Sequence, residues 1–157
     1  MSLSQITINP LASGSLEHEV CAAWRHEAFL KEDGYALADS YSQLQKITTA
    51  GDDLEAALIA RVGSDLAGIC LLVREELEPA HDLTPWLASL FVALAFRRQG
   101  VATALITAIE DHARRQGIER LHLYTVDAEA LYLKCGWSIR DEVTSHGYKL
   151  KLMDKQL

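Results

Sequence analysis

Apolar side chains recur every fourth residue over one long stretch of the chain. Over residues 101–116 the repeating positions are Val101, Leu105, Ile109 and Ala113, and Gly117 comes directly after them. A four-residue repeat places these side chains on one face of an α-helix, and a glycine commonly ends such a helix. The pattern therefore predicts an amphipathic helix over residues 101–116.

A less regular helical pattern lies nearer the N-terminus, over residues 16–32. Ser15 precedes it as a candidate N-cap, and Gly34 follows its end. Residues 39–49 carry a weaker helical pattern, and a turn is predicted at residues 51–53. The apolar positions of the first helix, which we expect to form its buried face, are Leu16, Val20, Ala23, Trp24 and Leu30.

Short apolar runs between these helical stretches predict strands. They cover residues 5–8, 56–62, 66–74, 86–92, 121–125, 137–140 and 147–153. Three turn residues separate the second run from the third, which predicts an antiparallel hairpin. Asp127 is predicted to cap a short helix that ends at Lys134. This order of elements predicts an α/β or α+β fold, with one layer of sheet and helices on its faces.

The composition is that of an ordinary globular protein. The chain has 157 residues, of which 49% are hydrophobic and 24% charged, so we expect a single domain over residues 1–157 and exclude a disordered chain. The net charge of −7 argues against a general binder of nucleic acid or of anionic membranes, since such proteins carry a basic surface. The N-terminus lacks the pattern of a signal peptide, and no apolar run approaches the ~20 residues of a membrane span. A cytoplasmic protein is therefore predicted.

The three cysteines, Cys21, Cys70 and Cys135, are widely spaced and form no CxxC motif. Their spacing predicts reduced thiols and argues against a disulfide framework or a structural zinc site. The histidines show neither HxxxH nor HExxH spacing, so no metal site is predicted.

Between residues 91 and 105 an apolar strand leads into a basic loop, a glycine and the first turn of the long helix. The amides at a helix start lack partners within the helix, and the helix dipole adds a partial positive charge there, so phosphate binds well at this position. Gly100 allows close approach of the backbone, and Arg97 and Arg98 supply guanidinium donors. A turn with a solvated face would use the same residues, so both an anion site and a plain turn stay open. A nucleotide P-loop and a dinucleotide-binding loop are excluded, because the Gly-Lys-Ser/Thr ending and the GxGxxG pattern are absent.

Two motifs in this region resemble those of the GNAT superfamily of acyl-CoA-dependent N-acyltransferases. Arg97-x-x-Gly100-x-Ala102, between an apolar strand and an amphipathic helix, resembles the Arg/Gln-x-x-Gly-x-Gly/Ala motif of that superfamily. The second motif begins at Tyr132, reads Tyr-x-x-x-Gly-Trp and resembles the Tyr-x-x-x-Gly-Phe/Trp ending. The motifs cover residues 85–137, and the order of predicted elements fits along the whole chain.

The resemblance implies a GNAT fold, with a central mixed, mostly antiparallel, splayed sheet of six to seven strands flanked by about four helices. It also implies that acetyl-CoA lies in the gap between two central strands, its pantetheine on strand backbone and its pyrophosphate on the amides at the helix start. Thr125 departs from the Asn of many members and matches a Thr-x-Asp variant. The residues that the resemblance assigns to acetyl-CoA are Leu90, Phe91, Val92, Arg97, Arg98, Gln99, Gly100, Val101, Ala102, Thr103 and Thr125.

The resemblance also places Tyr132 where this family often has its general acid. A phenol with a pKa near 10 keeps its proton at pH 7 and can donate it to a leaving thiolate, while a packed aromatic side chain is the alternative interpretation. The candidates for the general base are Glu75, Glu76, His81 and Asp82. A water chain or an already neutral amine would also serve. Cys135 has no neighbouring base in the sequence and is not predicted to be a nucleophile.

We therefore expect an acetyl-CoA-dependent N-acetyltransferase that acts on a primary amine of a small molecule or a peptide. The acceptor would bind against the N-terminal helices and the loops at residues 75–85 and 143–147. The acidic residues there, which would suit a cationic amine, are Glu27, Glu32, Asp33, Glu75, Glu76 and Asp82. An acyl-CoA-binding regulatory domain without turnover and a structural domain without cofactor stay open as alternatives. No metal, nucleic acid or membrane is predicted as a partner, and the resemblance leaves a homodimer open.

Overall fold

A seven-stranded sheet runs through the residues that the computed structural model describes, which are 5–76, 82–145 and 147–157. Its spatial order is β1-β2-β3-β4-β5-β7-β6. The strands pair antiparallel with their neighbours, except for β4 and β5, which are parallel. In chain order the strands are β1 (Ile6–Pro10), β2 (Ala56–Val62), β3 (Asp65–Val73), β4 (Trp86–Val92), β5 (Arg120–Thr125), β6 (Ser138–Ser145) and β7 (Tyr148–Gln156).

Four α-helices accompany the sheet in this described part of the chain. They are α1 (Leu16–Arg25), α2 (Leu37–Thr49), α3 (Val101–Arg115) and α4 (Glu129–Lys134). A π-helical turn (His26–Leu30) continues α1, and a short 3₁₀ turn (Leu94–Phe96) follows β4. The predicted fold class, a mostly antiparallel sheet of six to seven strands with about four helices, is therefore confirmed.

Two apolar clusters lie on opposite faces of the sheet. Successive residues of a strand point to opposite faces, and in β2 Leu58 packs in one cluster while Ile59 packs in the other. The first cluster contains α3, whose predicted stripe is confirmed: Val101, Leu105, Ile109 and Ala113 are all buried. The second contains residues of α1 and α2. The two clusters therefore fix the sheet between α3 on one face and the N-terminal helices on the other.

The predicted buried face of the first helix is wrong in part. Leu16 is 72% exposed, whereas the polar side chains of His18 and Arg25 are buried. His18 stacks on Tyr41 with ring centroids 3.9 Å apart, and its Nδ1 accepts from the amide of Gly14. Buried polar groups are tolerated when their hydrogen bonds are made, and apolar periodicity does not report such partners.

The same helix is also not α-helical over the predicted 16–32. The amide of Lys31 donates to the carbonyl of His26, five residues earlier, at 2.8 Å, as expected of a π-turn. The wider turn shifts the buried stripe by one position, so that Leu30 is 5% exposed while Phe29 is 42% exposed. The predicted N-cap is confirmed, since Ser15 Oγ accepts from the amide of His18 at 3.1 Å.

Several other boundaries also differ from the predictions. β1 extends through Pro10. The hairpin of β6 and β7 is longer than predicted, because the two strands pair with each other from Ser138 to Ser145. The predicted capping role of Asp127 is wrong: α4 begins at Glu129, and Thr125 Oγ1 accepts from the amide of Ala128 at 3.0 Å.

No helix of the described residues is long and apolar enough to cross a membrane. All three cysteines are free thiols, with Cys21 and Cys70 buried and Cys135 half-buried.

Candidate active site

The sheet opens between its two parallel central strands. β4 and β5 pair at a single position, Trp86 with His122, and diverge beyond it. From Leu87 onward, this edge of β4 therefore has no ladder with β5, and its backbone groups are available for pairing with an extended ligand. On its other edge, β4 remains paired with β3 as far as Val92.

The N-terminus of α3 lies just after the open part of β4. Gly100 is the N-cap, with a φ of 87°, and Arg98 also has a positive φ, of 64°. Among the described residues, no carbonyl accepts from the six amides of residues 98–103, while Ala104 already donates to the carbonyl of Gly100 at 3.0 Å. Six free amides at a helix N-terminus form a suitable cradle for a phosphate group.

Two of the three long polar side chains of this loop, those of Arg97 and Gln99, have structural partners. Arg97 Nε donates to the carbonyl of Val92 at 2.9 Å, and its guanidinium carbon lies 5.7 Å from the centre of the Phe91 ring. Gln99 Nε2 donates to the carbonyl of Ala95 at 3.2 Å. Arg97 therefore ties the loop to the end of β4. The side chain of Arg98 is exposed.

A cavity of about 490 Å³ lies on the other side of the opening. Its walls come from the end of α1 and the π-turn, from β4, from the end of β5 with α4, and from the start of β7. Four of its lining residues are aromatic and five are acidic. The residues concerned are Phe29, Tyr124, Tyr132 and Tyr148, and Glu27, Glu32, Asp33, Glu76 and Asp127. Leu90 and Thr125 also line it, so the structure brings part of the predicted cofactor set together with Tyr132.

Tyr132 is 5% exposed and packs edge-to-face against Trp137, with centroids 6.0 Å apart. Burial, followed by the nearby thiols of Cys70 and Cys135, raises the pKa of its phenol well above the ordinary value. The hydroxyl has no hydrogen-bond partner among the described residues, although the side chain lines the cavity. It therefore keeps its proton at neutral pH and has that proton available for a bound ligand.

The hydroxyl of Thr125 is engaged by the chain itself. It accepts from the amide of Ala128, as described above, and the residue is 8% exposed. Thr125 therefore fixes the chain between β5 and α4, the helix that carries Tyr132.

The candidates for a general base differ in whether they line the cavity. Glu76 lines the cavity, whereas Glu75 and Asp82 are exposed residues outside its wall. His81 lies outside the described residues. On the opposite wall, Tyr148 donates to Glu32 Oε2 at 2.7 Å, which links the start of β7 to the chain after the π-turn.

Arg25, the last residue of α1, is a further residue of the site that the sequence did not indicate. Its side chain lines the cavity although it is only 6% exposed. Burial lowers its pKa to about 10, so it remains a cation at neutral pH. The guanidinium donates to Ser89 Oγ at 3.0 Å, to Gln43 Oε1 at 3.1 Å and to the carbonyl of Ser40 at 3.4 Å. An arginine within the predicted helix over residues 16–32 carries no sequence signal of this burial.

The arrangement fits a long anionic ligand with an acyl end. The free amides before α3 suit its phosphates, the open edge of β4 suits an extended amide-containing arm, and the cavity accommodates the reacting group. No group of His, Cys, Asp and Glu side chains that could hold a metal ion occurs in the described part of the chain.

Comparison with known proteins identifies the class to which this fold and site belong. The model of the Acetyltransferase (GNAT) family matches residues 18–137, which is more than half of the chain. The chain therefore belongs to the GNAT acetyltransferase family.

One curated relative is a protein of Xenopus tropicalis named "Probable N-acetyltransferase 14". It is 37% identical over 79 residues, which are 47% of this chain and 38% of that protein. The chain thus matches well under half of the length of this relative.

Solved structures show the same fold over almost the whole chain. A ribosomal-protein-alanine N-acetyltransferase from Brucella melitensis superposes with a TM-score of 0.76 at 16% identity, covering 96% of this chain and 99% of that one. A candidate acetyltransferase from Salmonella typhimurium, solved with its cofactor acetyl-CoA, gives 0.75 at 14% identity, covering 96% and 93%.

Proposed function

We propose that this protein transfers an acetyl group from acetyl-CoA to a primary amine of a small molecule or a peptide. The observation that carries the proposal is the opening between β4 and β5, which joins the free amides before α3 to a cavity containing Tyr132. Family membership supports the same reaction, and the neighbouring Salmonella structure contains acetyl-CoA.

Acetyl-CoA would lie along the opening of the sheet. The pyrophosphate would accept from the amides of residues 98–103, with the exposed Arg98 side chain beside it. The pantetheine arm would pair with the free edge of β4 at Leu90, Phe91 and Val92. Thr125 would contribute by fixing the wall of the gap opposite β4.

The reaction makes one bond and breaks one, with proton transfers at the nitrogen and at the sulfur. The attacking amine is neutral, so an acceptor that binds as an ammonium first gives one proton to solvent. Its nitrogen bonds to the acetyl carbon, the carbon–sulfur bond breaks, and the sulfur takes a proton from Tyr132. The nitrogen gives up a proton to a base, for which Glu76 lies in the cavity wall. Exchange with solvent then restores the phenol of Tyr132 and the carboxylate of Glu76. The raised pKa keeps the phenol protonated at neutral pH, so its proton is present when the thiolate forms.

The acceptor would enter the cavity between the π-turn and β7. The carboxylates of Glu27, Glu32 and Asp33 on that side favour a cationic amine over a neutral or anionic one.

Calorimetry with acetyl-CoA, followed by a thiol-release assay over a panel of amines, tests the proposal. We expect binding at micromolar cofactor and release of CoA with at least one class of amine. Binding without release over a broad panel would favour the acyl-CoA-binding regulatory domain instead. Absence of binding would refute both functions.

A further inference from the structure

Ser89 is an extra residue in the middle of β4. Ala88 pairs with Leu71 and Phe91 pairs with Ile69, so Cys70 of β3 faces both Ser89 and Leu90. Two residues opposite one define a β-bulge. Packing agrees with the bulge. Ala88 and Phe91 are three residues apart, so in a regular strand they would face opposite sides of the sheet, yet both pack in the second cluster.

The backbone of Ser89 is in an unfavourable conformation. Its φ is 54°, in the left-handed region, where a side chain with a Cβ is strained. Glycine adopts this conformation readily, but the chain has serine here. Something in the surrounding structure must therefore hold Ser89 in place.

The side chain of Arg25 is the group in contact with Ser89. Its Nε donates to Ser89 Oγ at 3.0 Å, while its two terminal nitrogens are held by Ser40 and Gln43 of α2. Ser40 is itself buried and donates to the carbonyl of Ala22 in α1 at 2.8 Å. The planar guanidinium thus connects α1 and α2 to one residue of β4, with each nitrogen fixed in direction.

We propose that Arg25 is a positioning residue, which holds Ser89 in the left-handed conformation and thereby sets the bulge of β4. The inference rests on the proposed function, because the second residue of the bulge, Leu90, is one that would bind the pantetheine arm and present the thioester. Without this contact Ser89 leaves the left-handed conformation, and the backbone groups of β4 that follow it no longer have the same positions along the gap.

Two substitutions at position 89 separate the backbone conformation from the side chain. Ser89→Ala and Ser89→Gly both remove the hydroxyl that Arg25 contacts, but only glycine tolerates a positive φ without help. We expect kcat to fall roughly tenfold in S89A and to stay within about twofold of the wild type in S89G, since a left-handed alanine is disfavoured by about this factor. Equal kcat values for S89A and S89G would overturn the inference.

Arg25→Met tests the other partner. We expect a loss of kcat similar to that of S89A, and recovery to within about threefold of the wild type in the double variant R25M/S89G. The melting temperature should remain low in both R25M variants, because the bonds to Ser40 and Gln43 are lost in each. A kcat that stays low in the double variant, in step with the melting temperature, would show a merely structural role for Arg25.

A crystal structure of R25M tests the role of Arg25 without an activity assay, because it gives the φ of Ser89 directly. We expect Ser89 to leave the positive-φ region, and an unchanged φ at Ser89 would overturn the proposal. If the wild type releases no CoA with any amine, the proposed function fails, yet this structural readout still decides the role of Arg25. If the wild type is active and every variant matches it, only the role of Arg25 fails.

Discussion

The proposed phosphate site depends most directly on Gly100, the N-cap of α3. Its φ of 87° suits glycine, and an added Cβ would have only Ile6 within 4.0 Å, so space is not the obstacle to a larger side chain. Gly100→Glu would place a carboxylate beside the free amides that are proposed to hold the pyrophosphate. We expect the Kd for acetyl-CoA, measured by calorimetry, to rise roughly tenfold or more through charge repulsion.

Gly100→Ala is the matched control for this change. It imposes the same backbone strain without the charge, so its Kd should lie much closer to that of the wild type. Equal affinities for the glutamate variant and the wild type would rule out the cradle before α3.

Tyr132 offers a single-atom test of the proposed acid. Phenylalanine keeps the packing against Trp137 and removes only a hydroxyl that has no partner among the described residues. We expect Tyr132→Phe to lower kcat by roughly 10²-fold, a common contribution of a general acid, and to leave the Kd for acetyl-CoA within about twofold. Unchanged turnover in this variant would leave Tyr132 as a packing residue only.

At the scale of the element, the β3–β4 ladder is held together around Gly68. A Cβ on this residue would lie 2.6 Å from the carbonyl oxygen of Phe91 and 3.2 Å from Leu105 Cδ1. Because the nearer atom belongs to backbone, the strand itself must shift. We expect Gly68→Ala to lower the free energy of unfolding in urea by about 1–3 kcal/mol, the usual cost of overpacking. A stability equal to that of the wild type would show that β4 can move away freely.

The elements that the sequence predicted well are those whose side chains follow one simple rule. α3 and β4 match their predictions closely because apolar residues occupy most of their buried positions, although Glu110 of α3 is buried as well. The first helix did not, since His18 and Arg25 are buried through hydrogen bonds to Tyr41, Ser89 and Gln43, which lie elsewhere in the chain. Partners of this kind exist only after folding, and no local period encodes them.

The candidate site divides in the same way. The loop before α3 was visible as a motif, because consecutive amides and a glycine suffice to form it. The cavity was not visible, because its walls come from five separated stretches of chain. Among the base candidates, only contact in three dimensions distinguished Glu76 from Glu75, its neighbour in sequence.

At the scale of the whole molecule, buried thiols and a buried phenol make the free energy of unfolding depend on pH in the alkaline range. Burial raises the pKa of Cys21 from 9.0 to about 12, and burial raises the pKa of Cys70 and of Tyr132 in the same direction. Between pH 9 and 12 the folded state therefore holds a proton on Cys21 that the unfolded state has lost. The free energy of unfolding should fall as pH rises through this window, by about 1.4 kcal/mol per pH unit for each such group.

Denaturant unfolding of the wild type and of Cys21→Ala over this pH range measures the effect. The alanine variant should be less stable at pH 8, because a buried side chain is shortened, but its stability should fall less steeply above pH 9. Parallel slopes for the two proteins would show that Cys21 does not contribute to the linkage.

The sheet ends on one side at β6, and this edge has a consequence for the protein in concentrated solution. An unpaired strand edge can join the edge of another molecule and begin aggregation. The middle of β6 carries Arg140, Asp141 and Glu142, all exposed, which makes such joining between copies unfavourable, while Ile139 is its one strongly exposed large apolar residue. Replacing these charges with threonine or valine would remove that barrier, and light scattering would then show assembly, most readily near the isoelectric point of about 5.3, where repulsion between molecules is weakest.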